Sequence, residues 1–569
     1  MSEAPAAVAQ VPWWQRATVY HVYPRSFADG NGDGIGDLPG IIARLDYLKW
    51  LGVDALWLSP FFASPQGDFG YDIASYEDVA PEYGSMADCE RLIAEAHAQG
   101  IKILFDLVLN HTSDQHPWFR ESRAAADSPR RDWYLWRPGR KPGGAAPPNN
   151  WRALTGGSGW HHDPRTDAWY FASFLPFQPD LNYRNPDVRE AMLGMVRRWL
   201  ERGVDGFRLD VFNALYKDAA FPDNPFSFRP LPSDRSHDGF FQRRLHNCDL
   251  PETFAFAREL RAVLDDYPGD RFLVGEVFGA PEQLRRYCGT PADPGLHAVF
   301  LFQTLRAPVA APGLRRLITD IERALPAPYL PTWVLGNHDQ LRVMNRLGGD
   351  ARKMRLLAAL QLTARAIPFI YYGEELGLEG PTIPLAEALD PLAARHRWVP
   401  DRAARLLTRA GVTLNRDECR NPMPWSPEPN AGFCPPDTKP WRPLHGEHAR
   451  VNVATEERDP GSLLNLYRRL IALRRRRPAL HAGAITLLDA GQHPDALLGY
   501  RRQAGEDVVD VLLNTSDRPL RLSLGGRGGV RVLLSTHDAG DDAQVIGGRE
   551  LELRPYEAVI LELSSDPSE

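Results

Sequence analysis

The sequence predicts an α/β fold: a closed (β/α)8 TIM barrel with an inserted loop-rich domain after strand three and a C-terminal antiparallel β domain. Three observations predict it. From residue 17 onward, eight short β-rich runs alternate with segments of helical period. The runs are almost continuously apolar, as strands covered by helices must be. Two long excursions leave from the C-terminal ends of strands, the face where barrel enzymes keep their sites. An open doubly wound sheet would alternate in the same way, but no glycine-rich turn follows the first run to support a nucleotide site.

In order, "ATVYHVY" (17–23) is the first strand. The helical stretch "GIIARLDYLKWLG" (40–52) follows, with Ile41, Ile42, Leu45, Leu48 and Leu51 at helical spacing. "DALWLSP" (54–60) precedes a helix over 85–100 that opens on Ser85 as N-cap and stops at Gly100. "IKILFDLVL" (101–109) is the third strand, and 111–180, rich in Trp, Pro, Gly and Asn, is the first excursion. A helix from Pro186 to about Arg202 has Pro in its first turn, Asp187 at its positive end and Gly203 beyond its close. The remaining strands are "VDGFRLDV", "RFLVGEV" (271–277), "HAVFLF" (297–302), "PTWVLGNHD" (331–339) and "IPFIYYGEE" (367–375), with the second excursion over about 376–460. Past residue 480 the helical signal gives way to alternating runs with Gly and Asp turns, a small β-sandwich. The expected boundaries are 12–110 and 181–480 for the barrel, 111–180 for the insertion and 481–569 for the C-terminal domain. Arg474 to Arg477 read as a solvated helix end.

At 569 residues the chain is too long for one core. A net charge of -7, 43% hydrophobic content and the lack of any basic block argue against a nucleic-acid partner. No run approaches the roughly 20 apolar residues that cross a bilayer. The N-terminal stretch has neither a basic start nor an apolar leader core, so a cytoplasmic location is expected. Five scattered cysteines, none in a CxxC pair, fit reduced structural thiols.

Four strands end in acids: Asp106 after "IKILF", Asp210 after "GFRL", Glu276 after "FLVG" and Asp339 after "VLGNH". In a barrel they converge on one bowl. Carboxylates clustered with Arg and His, without a cysteine or multi-histidine ligand set, suit glycosidic bond cleavage. A retaining glycosidase needs one ionised and one protonated carboxyl about 5 to 5.5 Å apart. Arg208, two residues from Asp210 and on the same strand face, is expected to keep that aspartate charged. Glu276, among Val274, Val277 and Phe278, is expected to hold the proton.

The motifs "GFRLDV", "GEVF", "GNHD", "DLVLNH" and "QPDLN" resemble the ordered motifs of the α-amylase superfamily of glycoside hydrolases, nearest its α-glucosidase and oligo-1,6-glucosidase branch. The resemblance runs from about residue 12 to the C-terminus. It implies Asp210 as nucleophile, Glu276 as general acid and base, and Asp339 as the acid that binds ring hydroxyls and stabilises the transition state. It further implies sugar contacts from His111 and His338, Arg208 orienting Asp210, Asp106 in support, and Phe174 and Gln178 lining the pocket. Asp72, in "GYD", and Arg416 are expected to hold the terminal 4-hydroxyl of glucose, which makes the pocket closed and the action exo.

The loop "DGNGDGIGD" (29–37) places Asp29, Asn31 and Asp33 at alternate positions, then the Ile35 carbonyl and Asp37. Gly40 stands where an EF-hand needs glutamate, so it is not an EF-hand. The resemblance implies one structural Ca2+, or Mg2+, at this loop, and no organic cofactor. Two positions depart from the branch pattern, Asn421 for threonine and Ala366 for glycine, and both bear on the shape of the pocket rim rather than on the three acids. Val211, after the nucleophile, resembles enzymes that accept α-1,6 bonds. The expected activity is a retaining exo-α-glucosidase acting on short α-1,4 or α-1,6 glucosides. A transglucosylase or sucrose-type isomerase using the same intermediate is the alternative, and a non-catalytic binding relative, which would lack catalytic acids, is a third.

Overall fold

The computed structural model describes residues 11–563 apart from 142–143, 232, 234, 237, 410–411, 524–529, 540–543 and 547–549. The first residues of the N-terminal stretch and the last of the C-terminal domain therefore lie outside the described residues. Eight parallel strands form one sheet: β1 Val19–Val22, β2 Ala55–Leu58, β3 Lys102–Val108, β4 Gly206–Asp210, β5 Phe272–Gly275, β6 Ala298–Val299, β7 Thr332–Val334 and β8 Ile367–Tyr371. The order is β6-β5-β4-β3-β2-β1-β8-β7. The seam between β6 and β7 is bridged by the Thr332 hydroxyl, which accepts from Leu301 N–H at 3.0 Å and donates to the Val299 carbonyl at 3.1 Å. The sheet thereby closes into the expected barrel.

The barrel interior explains where the charges stand. Its filling is apolar: Val19, Ala55, Trp57, Leu104, Val274, Ala298, Val334, Ile367 and Phe369 share one cluster. Side chains alternate along a strand, so positions two residues further on face the same interior near the upper rim. There the sequence switches to Asp106 after Leu104, Arg208 and Asp210 on β4, and Glu276 after Val274. Register completes the grouping, since Arg208 pairs with Asp106 across β3 and β4. Gly206 is required at the foot of β4, because a Cβ there would stand 2.1 Å from the Phe272 carbonyl oxygen.

The helices follow their caps. Ser85 and Asp88 form a capping box for Met86–Ala98, and Asn185 caps Pro186–Glu201. The helix expected over 40–52 is two, Leu38–Ile42 and Leu45–Leu51, because Asp37 caps an earlier start and Arg44 leaves helical dihedrals. The first excursion builds a three-stranded antiparallel sheet from Trp136–Arg137, Trp160–Asp163 and Ala168–Phe171. It rejoins the barrel through a bridge between His111 and Asp180.

The C-terminal domain pairs a six-stranded sheet with a two-stranded one, Leu520–Ser523 with Glu550–Leu553, around Leu497, Leu512, Leu551 and Leu561. The arginine run is a solvated helix end only at Arg475 and Arg476, which are exposed. Arg474 is buried and donates to the carbonyls of Leu362, Ala366 and Leu480, and Arg477 pairs with Asp507 and Glu562. Arg477 thereby ties the end of the helix to the β domain.

Candidate active site

Asp106, Asp210 and Glu276 meet on one guanidinium. Arg208 donates Nη1 to Asp106 Oδ1 and Asp210 Oδ1, each at 2.7 Å, and Nη2 to Glu276 Oε2 at 2.6 Å. All four residues are buried. Asp106 also accepts from Trp57 Nε1 at 3.1 Å and the Tyr71 hydroxyl at 3.0 Å. One cation facing three carboxylates leaves excess negative charge at the site.

Arg208, expected to keep Asp210 charged, is bonded to it. Burial drives the Asp210 carboxyl well above the usual range. Arg208 pulls against it, while Glu276 and Asp106 add to the rise. Asp106 is pushed to about 6 by burial, opposed chiefly by Arg208.

The chain turns sharply after Asp210. Val211 has φ 37° and ψ 49°, a left-handed conformation that costs a β-branched residue about 1–3 kcal/mol. In that conformation its N–H reaches Glu276 Oε2 at 3.2 Å.

Asp339 stands across the bowl and is the more open acid, its side chain 31% exposed. Arg420 Nη2 donates to its Oδ1 at 3.1 Å and Arg416 Nη1 at 3.3 Å. Burial raises this carboxyl, but His338, Arg416 and Arg420 together hold it well below the usual range. Burial depresses His338 to about 3 against the pull of Asp339, so the ring is charged only in acid, and at neutral pH Arg416 and Arg420 are the cations beside Asp339. His338 Nε2 bonds the Tyr71 hydroxyl at 2.6 Å. Because that hydroxyl donates to Asp106, the imidazole is the donor to Tyr71. Tyr71 thus joins the two halves of the site. Its carbonyl also meets His111 Nε2 at 3.1 Å, and the His111 ring lies 5.4 Å from that of Phe174.

One expected pairing is corrected. Asp72 does not meet Arg416: its carboxylate accepts from Ser64 Oγ and from the N–H groups of Gly67 and Asp68, closing a local turn. Burial pushes it to about 6 against those two N–H bonds. The partner of Arg416 is Asp68, at 2.6 Å, and Gln178 Nε2 bonds the other Asp68 oxygen at 3.2 Å. Phe69 at φ 48° and Gly70 at φ 102° reverse the chain between the two aspartates, so they face different ways. Sequence reasoning also missed Trp57, Tyr71, Asp390 and Arg420. Arg420, four residues beyond Arg416, carried the only local signal.

Of the two departures, Ala366 lies at the start of β8, the end of the barrel away from the acids, and Asn421 accepts from Arg342 at 2.7 Å.

The 29–37 loop satisfies its acids with its own backbone. Asp29 accepts from Gly32 and Gly34, Asp33 from Ile35, and Asp37 from Gly30, Asn31 and Gly40. Among the described residues no group of three or more His, Cys, Asp or Glu stands as a metal centre. The donor set is all oxygen, and its carboxylate oxygens keep a lone pair, save Asp37 Oδ1, which accepts from both Gly30 and Gly40, so its chemistry fits a hard cation.

A (β/α)8 barrel with carboxylates gathered at the C-terminal rim around arginine defines a glycoside hydrolase. The model of the alpha amylase catalytic domain matches residues 21–483. The chain belongs to the α-amylase superfamily, in its α-glucosidase and oligo-1,6-glucosidase branch. It is 40% identical to a probable alpha-glucosidase of Rhizobium meliloti (strain 1021), over 89% of this chain and 90% of the relative. It is 34% identical to an oligo-1,6-glucosidase of Parageobacillus thermoglucosidasius, over 97% and 99%. Among solved structures it is similar to the alpha-glucosyl transfer enzyme XgtA, with TM-score 0.86, 38% identity and coverage of 97% and 99%. It is also similar to the trehalulose synthase MutB of Pseudomonas mesoacidophila MX-45, with TM-score 0.84, 33% identity and coverage of 97% and 100%.

Proposed function

We propose that the chain is a retaining, exo-acting α-glucosidase that releases glucose from the non-reducing end of short α-glucosides through a covalent glucosyl–Asp210 intermediate. The observation that carries this reading is that Asp210 and Glu276 are held side by side on one guanidinium, by Arg208 Nη1 at 2.7 Å and Nη2 at 2.6 Å. Two carboxyls held on the two terminal nitrogens of one guanidinium suit the close spacing of a retaining pair, roughly 5–5.5 Å, better than the roughly 6.5–9.5 Å at which an inverting enzyme seats a water between them. Asp210 attacks the anomeric carbon. Glu276 donates a proton to the leaving oxygen and then, as the carboxylate, takes a proton from the incoming water. Asp339, held ionised by Arg416 and Arg420, stabilises the positive charge that develops on the sugar ring.

Exo action is supported by Arg416, Asp68 and Asp339, which wall one side of the bowl with polar groups suited to a terminal sugar's hydroxyls. Val211 is compatible with α-1,6 as well as α-1,4 bonds. Proton NMR of hydrolysis tests the mechanism: α-glucose must appear before β-glucose, and β-glucose first would refute retention.

The similarity to a glucosyl transfer enzyme and a trehalulose synthase favours a second reading, transfer of glucose to a sugar acceptor. Chromatography of products from maltose, isomaltose and sucrose at high concentration separates the two, since hydrolysis yields free glucose and transfer yields new disaccharides or longer products.

We also propose one structural Ca2+ or Mg2+ held by Asp29, Asn31, Asp33, the Ile35 carbonyl and Asp37, resting on donor chemistry. A chelator should lower Tm, and an unchanged Tm counts against the cation. A cytoplasmic location is proposed on the five buried free cysteines. Among the described residues no helix is long and apolar enough to cross a membrane.

A further inference from the structure

Asp390, in the long segment after β8, is fully buried and grips Arg416 from behind. Its Oδ1 accepts from Arg416 Nη2 at 2.8 Å and Nε at 3.1 Å, and its Oδ2 from the Arg416 backbone N–H at 2.8 Å. A guanidinium is a planar fork, so fixing one edge fixes the directions of the remaining N–H groups. With the Nε edge taken by Asp390, Nη1 points to Asp339 Oδ1 and Nη2 also reaches Asp68 Oδ1.

Asp390 is itself anchored. Asp417 Oδ2 accepts from the N–H groups of Leu389 and Asp390, and Arg442 holds Asp417 at 3.0 Å. Five residues on, Arg395 Nη1 reaches Thr155 of the inserted segment at 2.9 Å. Asp390 therefore stands where the wall of the pocket and its rim are joined.

We propose that Asp390 is a positioning residue that, by orienting Arg416, sets the selectivity for a terminal glucose with an unsubstituted 4-hydroxyl. The proposal rests on the exo reading above. Without the Asp390 grip, Arg416 is drawn between Asp68 and Asp339 in several rotamers, and the hydroxyl loses a fixed donor and acceptor pair.

The test compares 4-nitrophenyl α-glucoside with its 4-deoxy analogue on the full chain and on Asp390→Asn. The parent enzyme should prefer the 4-hydroxyl substrate by on the order of 10²-fold or more in kcat/KM. In Asp390→Asn that ratio should fall about tenfold, mainly through KM of the parent substrate, with kcat close to that of the parent enzyme. Placed in an Arg416→Ala background, Asp390→Asn should change nothing further, since it acts through the arginine.

Asp390 also caps Leu392 N–H at 3.0 Å, a bond that serine preserves, so Asp390→Ser is the second variant. A ratio unchanged in either folded variant, or an effect that adds to Arg416→Ala, overturns the proposal. So does failure of both variants to fold, which makes the role structural. An unmutated enzyme indifferent to the 4-hydroxyl overturns the exo reading itself, a result visible before any substitution.

Discussion

Two groups of buried acids stand just beyond strand ends, and their partners separate them. In the bowl, Asp106, Asp210 and Glu276 share Arg208, and Asp339 shares Arg416 and Arg420. After β8, Glu374 and Glu375 are as deeply buried, but tyrosine hydroxyls meet them: Tyr467 on Glu374 Oε1 at 3.1 Å, and Tyr20 and Tyr47 on Glu375 Oε1 at 2.6 and 2.7 Å. Their Oε2 atoms have no hydrogen-bond partner. Burial pushes Glu374 to about 8, and Glu456 nearby to about 8, while Asp339 is held low. Arg416 and Arg420 hold Asp339 ionised, whereas tyrosine hydroxyls do not offset the burial that raises Glu374 and Glu375. Position at a strand end alone does not make an acid catalytic.

The largest expected effect breaks the first group and spares the second. Asp210→Asn should lower kcat by roughly 10⁴-fold or more with Tm preserved, because no nucleophile remains. Glu375→Gln should leave kcat/KM within about threefold, as a surrounding group with no proton to give or take. Equal losses in the two would erase the distinction. A smaller and more selective effect is expected of Glu276→Gln. Hydrolysis of maltose should slow by about 10²–10⁴-fold, while an α-glucosyl fluoride, whose leaving group needs no proton, should lose far less. Parallel losses on both substrates would remove Glu276 from the acid role.

This difference was half legible in the sequence. The bowl acids could be found because each interrupts an apolar run at its end, and the period of two turns them inward with the apolar residues below. The strands were legible for the same reason, being covered on both sides. Glu374 and Glu375 carry the same local signature, and only the long-range arrival of Tyr20, Tyr47 and Tyr467 shows what they are. The motif points to Asp72 and says nothing of Asp68, because a motif gives adjacency but not direction, and the left-handed turn at Phe69 and Gly70 decides which carboxylate faces the pocket. Four consecutive arginines suggest solvent, yet Arg474 finds three carbonyls at the end of a helix and the start of β8. Asp390 lies 26 residues from Arg416, in a segment with no regular period to announce it.

The finest test of the comparison is the pH dependence of stability. Glu374 is 3% exposed, and its carboxyl titrates near 8 in the folded chain against 4.5 as its ordinary value. A raised carboxyl means the folded state binds the proton more tightly than the unfolded one. The stabilisation is then complete below about pH 4.5 and is lost as pH rises to 8, at no more than about 1.4 kcal/mol per pH unit for one group. Glutamine at 374 accepts the same Tyr467 bond and never ionises. Between pH 5 and 8.5, Glu374→Gln should therefore lose less Tm than the parent chain, with the remaining slope owed in part to Glu456. Asp339→Asn should leave that alkaline slope unaltered, because a carboxyl held low titrates only in acid. A Glu374→Gln curve parallel to the parent's from pH 5 to 8.5 would mean that Glu374 is ionised in place, and the contrast between tyrosine-partnered and arginine-partnered acids would fall.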